Sequence, residues 1–312
     1  MKYLDMHCDT VTACFDKGYS VANGQLQINS DKLKKAGCAA QCFAIFTQGD
    51  GAASRFYNCL KFYNSELKPS GIKPVRTYSD LESCISGEAV GGILTVENLG
   101  FLDDLNELSA LSEAGVKMAS LVWNFENSFA YPNLIFVNGL PDFSRRETRG
   151  LKETGRRAVE ILDKLKIIID ISHLSDGGAE EILSGRKIPL VASHSNAAAV
   201  CGVSRNLTDG LIKKIADCGG VVGVNFCKDF LGEGDGFERV YDHIRHLIKV
   251  GGEEIIAFGS DFDGIPETEK LEGCEKMPAL IFYLEKRGIR WEDLEKLCYK
   301  NFARVLKEVC FD

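Results

Sequence analysis

The sequence predicts an α/β fold, a (β/α)8 (TIM) barrel, and three features carry that expectation. Eight short apolar runs recur along 312 residues. Amphipathic helical stretches separate them. Polar residues suited to chemistry gather where the runs end, which is where such a barrel places its active site.

The runs are Tyr3 to Met6, Cys38 to Phe46, Gly91 to Val96, Val116 to Val122, Lys166 to Ile171, Ile188 to Ala192, Gly219 to Phe226 and Ile255 to Gly259. Most are apolar without alternation, as parallel strands buried on both faces should be. Between them, Asp103 to Ala114, Glu147 to Leu165, Asp176 to Leu183, Thr208 to Asp217 and Phe237 to Val250 have helical periodicity. Asp176 and Thr208 are expected to cap their helices. Gly115, Gly185 and Gly251 fall at expected helix ends. Met277 to Val309 reads as two or three more helices, so residues 1–312 are expected to form a single barrel domain with C-terminal helices. A doubly wound open sheet is the rival, but no GxGxxG follows the first run, which weakens its dinucleotide-binding version. The long aromatic segment Asn124 to Arg146 is expected to be a loop shaping a pocket.

Composition narrows the function. The chain is 45% hydrophobic and 26% charged, enough apolar material for a large core. A net charge of -8 and a pI near 5.3 disfavour nucleic acid as a partner. The start, MKYLDMHCDT, has no apolar signal-peptide core, and no run approaches membrane-spanning length. A cytoplasmic protein with no membrane partner is the expectation. The twelve cysteines are scattered without a CxxC pair, which reads as buried reduced thiols.

The strand ends carry the chemistry. The first run leads to His7 and Asp9, the third to Glu97, the fourth to Trp123 and Asn124. The fifth leads to His173, the sixth to His194, the seventh to Asn225 and the eighth to Asp261. Taken singly, each fits a polar residue where a strand runs out. Three of the five histidines lie at these ends with two aspartates and a glutamate, and that joint pattern points to a metal site. His243 and His246, three apart on a helical stretch, read as an exposed or satisfied helix pair. Imidazole with carboxylate suits Zn²⁺ or a similar divalent ion. Six candidate ligands are too many for one tetrahedral zinc and suit two metals, with Glu97 as the natural bridge. Such a pair activates water, so the reaction class is hydrolysis.

These residues resemble the membrane (renal) dipeptidase family, zinc dipeptidases of the amidohydrolase superfamily. The matching segments are HCD at 7–9, TVENLG at 95–100, IDISHLSD at 169–176, ASHSNA at 192–197, SRNLTD at 204–209 and GSDFDG at 259–264. The resemblance implies a metal-dependent hydrolase barrel with two Zn²⁺ per chain and a bridging hydroxide that cleaves small dipeptides. It implies that His7 and Asp9 hold one ion, His173 and His194 the other, and that Glu97 bridges them. It makes Asp261 the catalytic proton shuttle and Arg205 the clamp on the substrate carboxylate, with Trp123 and Asn225 as further substrate contacts. It also implies a soluble, bacterial-type member and, since the family is often dimeric, allows a homodimer.

Two departures bear on specificity. LVWNFEN places Trp123 where animal members carry a histidine, and an indole offers one N–H donor and no acid–base chemistry. VNFCKDF places Cys227 where a tyrosine is expected. They keep open a second activity on the same metals, hydrolysis of N-acyl amino acids or another amide or ester. A non-catalytic metal-binding protein is a third reading, opposed by Asp261. Cys8, between two ligands, is expected to point away from them into the barrel wall.

Overall fold

A parallel sheet whose strands are buried on both faces must either be covered by helices or close on itself. In the computed structural model, which describes residues 1–311, it does both. Eleven strands form: β1 (Tyr3–Asp5), β2 (Cys38–Phe46), β3 (Ile72–Pro74), β4 (Val90–Glu97), β5 (Met118–Ser120), β6 (Ile135–Val137), β7 (Leu140–Asp142), β8 (Ile168–Asp170), β9 (Val191–Ala192), β10 (Val221–Val224) and β11 (Ile256–Phe258). The ring runs β2-β1-β11-β10-β9-β8-β5-β4, and pairing of β2 with β4 closes it. The closing seam is parallel, from Ala40 against Gly91 to Phe46 against Glu97. All eight apolar runs therefore supply the eight barrel strands.

Glycines set how closely the strands approach at the C-terminal end of the barrel. A Cβ on Gly223 or Gly259 would lie 2.1 or 1.7 Å from the Ser193 carbonyl oxygen. Only glycine lets β10 and β11 crowd against the turn that carries His194. At the other end, Phe302, Val305 and Leu306 of the last helix pack with inward residues such as Met6, Ile93, Met118 and Ile168 and plug the barrel.

Three strands lie beyond the predicted set. β3 pairs with the first half of β4 on the edge that β5 uses further along. β6 and β7 form a hairpin inside the segment expected to be a loop. Its Asn138–Gly139 turn has both residues at positive φ, the signature of a type I′ turn.

Helix limits shift where tertiary partners take backbone groups. The helix expected from Glu147 starts at Glu153, because Leu151 N donates to Glu181 and Lys152 N to the Phe129 carbonyl. Thr208 caps its helix, but Ser175, not Asp176, caps the helix Asp176–Leu183. Gly251 is the last residue of its helix, and Gly252 is the C-cap. The C-terminal residues form one helix, Met277–Lys286, and a second run from Trp291 that passes through two π-helical turns. Among the described residues all twelve cysteines are free, and all but Cys201 are buried. No helix among them is long and apolar enough to cross a membrane.

His243 gives a stability test. Ala197 N donates to its Nδ1 at 3.1 Å and its Nε2 donates to the Leu231 carbonyl at 3.0 Å, so both nitrogens are committed in the neutral ring. A second proton would face an N–H, and burial pushes the pKa down to about 4. The unfolded chain takes that proton up below about pH 6.5, so folding stability is lost as pH falls from there toward 4, by on the order of 3 kcal/mol. Urea unfolding of His243→Gln is expected to show a shallower loss between about pH 7 and about pH 5 than the parent. Parallel losses would rule the histidine out.

Candidate metal centre

The C-terminal strand ends bring six ionisable side chains together. His7 Nε2 lies 3.4 Å from Asp9 Oδ2, 3.8 Å from Glu97 Oε2 and 3.7 Å from Asp261 Oδ1. Glu97 Oε1 lies 2.9 Å from His173 Nε2 and 3.7 Å from His194 Nε2. Ligand atoms of His7, Asp9 and Glu97 converge, as do those of Glu97, His173 and His194, and those of His7, His194 and Asp261. Glu97 thus turns one oxygen to each half of the cluster.

The hydrogen bonds behind the rings fix what the front can do. The Asn124 side-chain oxygen accepts from His173 Nδ1 at 2.9 Å. Ser193 Oγ donates to Asp170 at 2.6 Å and accepts from His194 Nδ1 at 2.7 Å. Both rings therefore carry their proton on Nδ1 and present bare Nε2 lone pairs, which lie 2.8 Å apart. Two acceptors cannot satisfy each other. His7 Nε2 is also buried without a hydrogen-bond partner. Bare imidazole nitrogens facing carboxylates, His7 Nε2 among them without a partner, fit a divalent cation, and the N/O set suits zinc.

The protonation energetics agree. Burial, then the charge of Asp9, pushes Glu97 well above the ordinary carboxylate range. Burial opposes charge on His7, but Asp9, Glu97 and Asp261 outweigh it and raise the ring to about 10. Burial, reinforced by the neighbouring cations, drives His173 and His194 well below their usual value and keeps them neutral. Acidic groups crowded against two neutral imidazoles, with protons held on His7 and Glu97, are the arrangement in which a cation would displace those protons.

A second layer holds these ligands. Asp170 accepts from the backbone N–H and hydroxyl of both Ser172 and Ser193. Asp5 does the same for Ser260. Neither aspartate stood out in the sequence, although each lies two or three residues before a histidine at a strand end. Asn225 is fully buried behind Asp261. Its Nδ2 donates to Asp261 Oδ2 at 2.9 Å and to the His194 carbonyl, while its Oδ1 accepts from Cys227 N. It does not line the cavity, which corrects the expectation of a substrate contact: its amide is consumed in orienting Asp261.

A cavity of about 400 Å³ opens over the cluster, with Trp123, Arg205, Cys227 and Phe230 among its walls. Arg205 is buried, donates through Nη1 to the Ser172 carbonyl, and brings Nη2 within 3.1 Å of His173 Nε2. Trp123 stands with its ring centre 6.2 Å from that of His173. Cys8 is buried in the hydrophobic core, as its direction required. Asp261 has φ +64°, a left-handed conformation that a non-glycine residue keeps only under constraint. Burial and the charge of Asp9 push its carboxyl up to about 6, against the opposing pull of His7.

Comparison with known proteins fits this geometry. A family model described as membrane dipeptidase (peptidase family M19) matches residues 1–311. An uncharacterized protein of the pqqA 5′ region in Klebsiella pneumoniae is 36% identical over 239 residues, 74% of this chain and 86% of that protein. An uncharacterized dipeptidase of Schizosaccharomyces pombe is 36% identical over 223 residues, covering 69% of this chain and 52% of its own length. The chain thus spans about half of the yeast protein. The crystal structure of the M19 metallopeptidase dipeptidase AC superposes with a TM-score of 0.91 at 27% identity, over 99% of this chain and 98% of that one. A metallopeptidase from Rhodobacter sphaeroides, liganded with a phosphinate mimic of L-Ala-D-Ala, gives 0.85 at 27% identity over 99% of each chain.

Gly264 shows how tightly the carboxylates are packed. A Cβ there would lie 2.2 Å from Asp9 Oδ2 and 2.8 Å from Asp261 Oδ1. Gly264→Ala is expected to displace both and weaken divalent-cation binding by about 10–100-fold, the usual cost of disturbing ligand support. Calorimetric zinc titration of the stripped protein checks this, and unchanged affinity would show that the carboxylates are not so confined.

Proposed function

The chain belongs to the membrane dipeptidase family, metal-dependent hydrolases of dipeptides, and from that premise we propose that it cleaves small dipeptides with two zinc ions per chain. The observation that carries the binuclear reading is Glu97, whose two oxygens face two separate groups of donors. His7 and Asp9 would complete one site, His173 and His194 the other. When bound, the ions would activate a water as the nucleophile and polarise the scissile carbonyl.

The chain's own groups do the rest. Asn225 holds Asp261 Oδ2, leaving Oδ1 directed at the cluster 3.7 Å from His7 Nε2. Asp261 there takes the proton of the attacking nucleophile and returns one to the leaving amine. A carboxylate held in place beside the cluster suits a proton carrier between nucleophile and leaving group. Arg205, a buried cation in the cavity wall, takes the substrate's free carboxylate, the geometry its guanidinium suits. Asn124 and the Ser193–Asp170 pair keep the two imidazoles in the ligand tautomer. Trp123 and Cys227 in the cavity wall favour one alternative, an N-acyl amino acid whose acyl chain packs on the indole.

A panel of dipeptides and N-acyl amino acids is expected to show turnover of the dipeptides. Activity confined to the acyl compounds would overturn the dipeptidase reading in favour of the alternative. Asp261→Asn should keep its metal and lose about 10²–10⁴-fold in kcat, the range of general acid–base catalysis. Undiminished turnover would remove Asp261 from the mechanism. In Glu97→Gln, metal content by elemental analysis should fall well below two per chain, and two ions retained would show that Glu97 is no bridge.

A further inference from the structure

The cavity has a second charged end. The ring order places the end of β2 four strands from β9 in either direction, so Phe46 stands across the mouth from the loop that carries Arg205. If Arg205 holds the substrate carboxylate, as in the reading above, and the scissile bond lies over the metal cluster, the amino-terminal residue extends toward Phe46. There the rings of Phe46 and Trp123 meet edge to face with centres 4.7 Å apart. The helix Thr10–Lys17 turns Thr12, Ala13 and Asp16 toward the same cavity, the spacing of one helical face.

Asp16 is bound bidentately by Arg55, at 2.7 and 2.8 Å. Arg55 spends both terminal nitrogens on Asp16 and its Nε on the Phe46 carbonyl. The Asp16 side chain remains 49% exposed against 28% for Arg55, so the open partner is the carboxylate. The dipeptide's own ammonium is one carbon from the scissile carbonyl and stays beside the cluster. Asp16 lies seven residues beyond Asp9 along the chain, about 10 Å of helix, a distance that only a long side chain spans. Aromatic faces attract cations and pack against alkyl stems, and they repel carboxylates.

We propose that Phe46, Trp123 and Asp16 form a subsite for the side chain of the amino-terminal residue, and that it selects lysine or arginine. Arg55 is the positioning residue that aims the carboxylate. The inference rests on the dipeptidase reading, and the test separates the two. With the zinc-loaded enzyme, kcat/KM is measured for Lys-Ala, norleucine-Ala, Glu-Ala and Ala-Ala. Norleucine has the apolar stem without the charge. Lys-Ala is expected to exceed norleucine-Ala by about tenfold, the combined scale of a half-exposed ion pair and a cation–π contact. Glu-Ala should be the poorest, and the lysine preference should shrink with added salt. In Asp16→Asn the lysine-to-norleucine ratio should fall several-fold, to the few-fold preference that the cation–π contact alone supports. A ratio near one in the parent, or a ratio that survives Asp16→Asn, overturns the subsite. If the variant does not fold, the parent's ratio and its salt dependence decide alone. Ala-Ala turnover without lysine preference sinks only this inference, whereas no dipeptide turnover at all sinks the dipeptidase reading with it.

Discussion

Three carboxylates and three imidazoles are buried within a few ångströms of one another at one end of a closed barrel. Gathered negative charge out of water is costly unless positive charge joins it. In this chain the cost shows as a displaced Glu97, a charged His7 and neutral His173 and His194. Divalent cations would replace the protons on Glu97 and His7 and use the neutral His173 and His194 as they stand. The rest of the molecule can be read as the apparatus that forces these groups together while they are uncompensated.

That apparatus has two parts. The barrel supplies coarse placement, because parallel strands in register deliver their ends to one rim. The second layer supplies aim. Asp170 ties the strand end that bears His173 to the turn that bears His194, through two serine hydroxyls and two backbone N–H groups. Asp5 ties the His7 strand to the Asp261 loop in the same way through Ser260. Each link joins neighbouring or near-neighbouring strands. The ligand rim is therefore cross-braced by buried, saturated carboxylates beneath the open ones.

This division explains what was legible in the sequence. The apolar runs that become barrel strands are visible because burial on both faces leaves little room for polar residues. The candidate ligands are visible because they interrupt those runs with titratable groups. The sequence is less informative where one group's role depends on a distant partner. Glu147 to Lys152 has helical character, yet Glu181 and the Phe129 carbonyl capture its backbone N–H groups. β3 is three residues long and owes its pairing to β4 rather than to its own pattern. Asn225 stands at a strand end like a substrate contact, and only its bonds to Asp261 and the His194 carbonyl reveal a positioning role. Asp5 and Asp170 look like strand residues until their serine partners are in view.

The loop that follows β11 holds two carboxylates with different surroundings. Asp261 and Asp263 are two residues apart, both left-handed, and burial raises both to about 6. Neither strain nor acidity distinguishes them. Asp263 is saturated: Thr10 Oγ1 donates to one oxygen at 2.5 Å and Gln27 N to the other at 2.7 Å, stitching the loop to the start of the helix Thr10–Lys17. Asp261 has a neutral amide on one oxygen only, and the other faces the cluster. The proposed proton exchange needs a carboxylate oxygen that faces the cluster, and Asp261 Oδ1 does. Asp263 instead ties the loop to Thr10 and Gln27. Hydrogen bonding, rather than burial or pKa, thus separates the carboxylate that faces the cluster from the one that braces the loop.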